Sequence, residues 1–139
     1  MDSKPLNVTS VTRKASSQDV LIIDDDAHIR YALVSALEVE GYRAMSAVNG
    51  LEALEVLRIL PTPPSVILLE LMMPVMDGWQ FCAELQRDPL LSKIPVVVVS
   101  AFGNVMEEAS KVSASAYLKK PFLLKELLDM VGRFCSNGA

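Results

Sequence analysis

The sequence predicts a doubly wound α/β sandwich, a five-stranded parallel sheet with helices on both faces. Three observations carry that expectation. Strand-like apolar runs alternate five times with helical patterns from Val20 onward. Two of those runs, SVILLEL and IPVVVVS, are continuously apolar rather than alternating, as strands are when helices cover both faces of a sheet. The chain has 139 residues, 51% of them hydrophobic, which suffices for one domain with a real core and no disulfide or metal staple.

The units follow in order. VLIID opens the series and is followed by Ile29, Ala32, Leu33, Ala36 and Leu37 at helical spacing, with a stop near Gly41. YRAMSA precedes the helix GLEALEVLRIL, and SVILLEL precedes GWQFCAELQ. IPVVVVSAF precedes NVMEEASKV, and SAYLKK precedes a closing helix carrying Leu124, Leu127, Leu128 and Val131. Residues 1–17 have no apolar period and read as a flexible tail, which leaves a domain over residues 18–136 and a short end at 137–139.

Composition narrows the function. A formal charge of −4 and a pI near 5.0 argue against the basic surface that neutralises phosphates in nucleic-acid binders. No run reaches the roughly 18 apolar residues of a membrane span, and the N-terminus lacks a signal-peptide core, so a cytoplasmic protein is expected. Cys82 and Cys135 are far apart, without metal-ligand spacing, and read as small hydrophobes. Neither a G-x-G-x-x-G nor a Walker pattern is present to cradle a nucleotide.

In a doubly wound sheet, ligands bind beyond the carboxyl ends of the strands. Here those ends carry Asp24-Asp25-Asp26, Glu70, Ser100 and Lys119-Lys120. Carboxylates from two strand ends suit a hard divalent cation, and a hydroxyl and an ammonium beside them suit a phosphate-sized anion. Asp26 is expected to cap the first helix rather than bind metal. His28, the single histidine, reads as a partly exposed helix residue and not as a phosphodonor. Met72, Met73 and Met76 read as loop and core filling.

Four segments, VLIIDDDAHIR, VILLELMMPVMDGW, VVVVSA and YLKKPF, in this order and at these separations, resemble the receiver domain of two-component response regulators from about Asp19 to Cys135. The resemblance implies a flavodoxin-like (βα)5 fold and a Mg²⁺ site. Asp24 and Asp25 would hold the ion, with Asp25 the more direct ligand, together with the carboxylate at position 70 and the Met72 carbonyl. Ser100 would bond a phosphoryl oxygen, Lys120 would pair with the phosphoryl group or the acceptor carboxylate, and Tyr117 would be the aromatic switch. Lys120-Pro121 resembles the family's cis peptide. Ser113 stands where the family often places glycine.

The departure is Glu70, at the position of the family's phosphorylated aspartate. Moving the nucleophilic oxygen by one methylene, about 1.5 Å, costs on the order of 100-fold in a reaction that depends on positioning. The longer arm also occupies part of the volume of an aspartyl phosphate, without its second charge and third terminal oxygen. Glu70 therefore either imitates the phosphorylated state in part or silences the domain.

Three function classes compete. The expectation is a receiver signalling through contacts of its fourth helix, fifth strand and fifth helix. Its partners would be a histidine kinase or phosphotransfer protein, a downstream effector, or a second copy in a homodimer, without direct nucleic-acid binding or membrane insertion. The alternative is a receiver that still accepts phosphate from a histidine kinase, or one that is a piece of a hybrid kinase or longer regulator. A hydrolase of the haloacid dehalogenase type would also use an Asp and Mg²⁺, but DDDAHIR lacks that motif's following residues and KPF has no role there.

Overall fold

A computed structural model describes residues 19–135. The tail expected over residues 1–17 and the end at 137–139 lie outside the described residues. Five strands form one sheet: β1 (Asp19–Ile23), β2 (Arg43–Ala47), β3 (Val66–Leu69), β4 (Val96–Ser100) and β5 (Ala116–Lys119). All neighbouring pairs are parallel, in the order β2-β1-β3-β4-β5, so the order reverses beside β1. The helices between and after them are α1 (Ala27–Val39), α2 (Gly50–Ile59), α3 (Gly78–Gln86), α4 (Val105–Lys111) and α5 (Leu124–Cys135). A 3₁₀ turn at Leu91–Lys93 leads into β4. The doubly wound α/β sandwich expected from the sequence is the fold found.

Strand alternation divides the core. Leu21, Ile23, Ile67 and Leu69 pack with Leu54 and Leu57 of α2 and with Phe81 and Leu85 of α3. Val20, Ile22, Val66 and Leu68 face the other way, against Leu33 and Leu37 of α1 and Leu127 and Val131 of α5. β1, β3 and β4 are buried along their whole length, which is why their sequences are apolar apart from Asp19 at the start of β1 and Ser100 at the end of β4. Ala32, one of the positions at helical spacing in α1, is exposed, and the buried stripe of that helix is Leu33 and Leu37. Cys82 and Cys135 are both buried, and burial pushes the Cys82 thiol up to about 12.

Polar side chains set where the helices begin. Asp26 caps α1, accepting from the N–H groups of His28 and Ile29 at 2.9 and 3.2 Å. Asn49 caps α2, and Asn104 caps α4. Asp77 and Gln80 form a reciprocal capping box at α3. Gly78, just behind that cap, has no room for a side chain: a Cβ would lie 2.7 Å from the Glu70 carbonyl oxygen and 2.7 Å from Leu71 Cα. The N-terminus of α3 is thus pressed against the backbone that presents Glu70. Ser113, at the position where the resemblance leads to an expectation of glycine, has φ of 58°, a conformation that glycine favours.

Candidate functional site at the carboxyl edge of the sheet

Three strands, β1, β3 and β5, extend the ladder by one step to place a functional residue, and β4 ends on one, Ser100. Asp24 N–H donates to the Ala47 carbonyl at 3.1 Å, Glu70 N–H to Ile23 at 2.9 Å, and Lys120 N–H to Ser100 at 2.9 Å. Asp24, Glu70, Ser100 and Lys120 are brought together by backbone register before any side chain chooses a partner. The Lys120-Pro121 peptide is cis.

The side chains then close on one another. Lys120 Nζ donates to Asp24 Oδ2 at 2.7 Å and to Glu70 Oε1 at 2.7 Å. Ser100 Oγ donates to Glu70 Oε2 at 2.5 Å, and the same oxygen accepts the backbone N–H groups of Leu71 and Met72 at 2.8 and 3.2 Å. Asp24 Oδ1 accepts the Asp26 N–H at 2.9 Å, and Arg30 holds the Asp24 carbonyl at 2.8 Å. Asp24, Glu70 and Ser100 are buried, and the Lys120 side chain is only 16% exposed.

Burial and pairing compete over the charges. Burial pushes the Asp24 carboxyl above its ordinary range, and the bonds from Lys120 and the Asp26 N–H offset only part of this. Burial would raise Glu70 too, but its bonds from Lys120 and Ser100 outweigh it and hold that carboxyl below its ordinary range. Burial works to lower Lys120, and its bonds to Asp24 and Glu70 prevail and hold the ammonium above its usual value. At neutral pH Glu70 is an ionised carboxylate bound to a hydroxyl, an ammonium and two amides.

Of the other sequence candidates, Met72 joins the cluster through its backbone N–H. Asp25 and His28 are exposed. Met72 is 52% exposed, whereas Met73 is buried and Met76 partly so; Met72 is therefore loop surface and not filling. Tyr117 is 42% exposed and borders an open groove with Met106 of α4 and with Met130 and Arg133 of α5.

Sequence reasoning missed a second group beside the site. Ser100 Oγ accepts the Phe102 N–H at 3.1 Å, and the Phe102 ring meets Trp79 edge-on at 5.4 Å. Trp79 Nε1–H donates to Glu108 of α4 at 3.0 Å. Aromatic residues at these positions carry no local signal of the contact, because Trp79 and Phe102 belong to different β-α units. Val75, in the loop after Glu70, has φ of 71°, a conformation strained for a β-branched residue.

A model of the response regulator receiver domain matches residues 20–132. The chain belongs to the response regulator receiver domain family. The receiver is 38% identical over 112 residues to the probable transcriptional regulator ycf27 of Pyropia yezoensis, covering 79% of this chain and 44% of that protein. It is 35% identical over 114 residues to the DNA-binding dual master transcriptional regulator RpaA of Synechocystis, covering 81% of this chain and 46% of that protein. The chain thus spans less than half the length of these curated relatives. Among solved structures, the receiver domain of a signal transduction histidine kinase from Syntrophus aciditrophicus superposes with a TM-score of 0.77 at 29% identity, covering 86% of this chain and 90% of that one. Response regulator TrrA of Thermotoga maritima, in complex with Mg²⁺ and BeF, superposes with a TM-score of 0.73 at 26% identity, covering 84% of this chain and 98% of that one.

Mg²⁺ prefers six oxygens in a near-octahedral shell at about 2.0–2.1 Å. The described residues of this receiver contain no group of three or more acidic, histidine or cysteine side chains placed to hold a metal ion. Lys120 Nζ bridges Asp24 and Glu70, and three donors share one Glu70 oxygen. In this arrangement the residues do not fit the ion. No helix among the described residues is long and apolar enough to cross a membrane.

Proposed function

We propose that this receiver works as a signalling module of a two-component system whose phosphoacceptor position is occupied by Glu70, and that it acts through protein contacts rather than through a cycle of phosphorylation. The observation that carries this reading is the pairing of Glu70 Oε2 with Ser100 and of Glu70 Oε1 with Lys120. These are the two groups that the family resemblance assigns to the phosphoryl group. A carboxylate one methylene longer than aspartate already engages both, which leaves its oxygens poorly disposed to attack a phosphodonor. The exposed position of Tyr117 supports a partial imitation, in which the site bonds form and the aromatic switch stays outside.

The open face of α4, β5 and α5, with Tyr117, Met106 and Met130, suits a protein partner such as an effector or a second copy of the chain. A histidine kinase or phosphotransfer protein would meet the carboxyl edge. The acidic composition supports a domain that leaves nucleic acid to other modules, and a cytoplasmic location fits such partners. The test is incubation of the chain and of Glu70→Asp with acetyl phosphate or phosphoramidate and Mg²⁺, followed by intact mass. The expected result is a hydroxylamine-sensitive adduct on Glu70→Asp and little on the parent. Equal labelling of both would make the receiver competent for phosphotransfer and overturn this reading.

A further inference from the structure

We propose that Lys120 is the resident cation of this receiver's acidic site, so that the domain is complete without a divalent metal and does not bind Mg²⁺ at millimolar concentration. The inference rests on the reading of Glu70 as a partner of Ser100 and Lys120, and extends it to the metal.

The geometry supports the exchange from three sides. The ammonium sits 2.7 Å from one oxygen of each of the two buried carboxylates, which is the bridging role a cation would otherwise take. Glu70 accepts from it through Oε1, while its other oxygen is held by Ser100 and by the Leu71 and Met72 amides. An entering dication would have to remove Nζ from both carboxylates or lie beside it in a pocket with little water to screen them, and like charges at short range in such surroundings repel strongly. Asp25, the carboxylate left outside the cluster, is exposed, and one solvated carboxylate is a weak Mg²⁺ site. Aspartate at position 70 would have a shorter reach, and the bridge to Lys120 would have to loosen if the bond to Ser100 were kept.

The experiment uses the full 139-residue chain. Melting temperature and titration heat are measured with MgCl₂ up to about 10 mM, against NaCl of matched ionic strength, for the parent, Glu70→Asp, Lys120→Gln and Glu70→Asp/Asp25→Asn. The parent is expected to show no saturable heat and no shift beyond about 0.5 °C. Glu70→Asp is expected to gain saturable binding and a rise of about 3 °C, which Asp25→Asn removes. Lys120→Gln should gain binding as well; if that variant does not fold, Glu70→Asp carries the comparison alone. Saturable Mg²⁺ binding by the parent, equal to that of Glu70→Asp, overturns the proposal. So does failure of every folded variant to gain binding, because the metal would then be excluded by something other than the Lys120 bridge. A parent that binds Mg²⁺ yet resists phosphodonors would end this inference and leave the functional reading intact.

Discussion

Ser100 Oγ and Glu70 Oε2 lie 2.5 Å apart, joining the end of β4 to the residue after β3 through a hydroxyl-to-carboxylate bond in a buried site. The same Ser100 oxygen accepts the Phe102 N–H, Phe102 packs on Trp79, and Trp79 donates to Glu108 of α4. The acidic site and the fourth helix are therefore connected by one continuous set of contacts.

Removing the hydroxyl breaks that set at its root. Ser100→Ala is expected to cost about 1.5–3 kcal/mol, the range for a hydrogen bond to a charged group, with the Leu71 and Met72 amides still holding Glu70. It should also change the emission of Trp79, the only tryptophan, because Phe102 loses the acceptor that fixes its loop. Ser100→Thr keeps the hydroxyl and should keep the parent's spectrum. Denaturant midpoints and fluorescence of the three proteins check this, and an unchanged Ser100→Ala spectrum would show that Phe102 is placed by its ring alone.

The two acidic residues of the cluster have opposite linkage to pH. Glu70 is held below its ordinary range, so its stabilisation is complete above the unfolded value, near pH 4.3, and is lost as pH falls through the folded value. Asp24 is pushed above its range, so its protonated form favours the fold; that advantage is present below about pH 3.9 and is lost as pH rises through its folded value. Glu70→Gln is expected to flatten the loss of stability between about pH 5 and pH 3, and Asp24→Asn to steepen it. Urea midpoints across that window measure both slopes, and three identical acid limbs would contradict the assignment.

At the opposite end of the sheet, Asp19 is 1% exposed and accepts two bonds from Arg43 at 2.9 and 2.8 Å. The Arg43 side chain is largely exposed, so the two halves of this pair are not equivalent. Arg43→Met strands a buried carboxylate and is expected to cost about 3 kcal/mol. Asp19→Asn leaves the guanidinium free to turn to water and should cost about 1–2 kcal/mol. Thermal or denaturant unfolding of the two variants gives the order, and a larger loss in Asp19→Asn would show that the carboxylate's own bonds, not its burial, dominate.

Much of this receiver was legible in the chain by itself. The apolar runs of β3 and β4, the cap at Asp26 and the helical stripe ending at Gly41 are local signals, decided by side-chain polarity and backbone preference within a few residues. They determine the five β-α units, and with them the edge on which Asp24, Glu70, Ser100 and Lys120 must emerge. What the chain could not decide was the choice of partners on that edge. Lys120 bonds residues 96 and 50 positions away, and the Glu70 oxygens are divided among Lys120, Ser100 and two amides. That division is a competition among donors within a few ångströms in three dimensions, governed by burial and reach. The same holds for Trp79, Phe102 and Glu108, whose contact joins three separate units, and for Asp25, which is adjacent to Asp24 in sequence yet is exposed in the bend that follows β1.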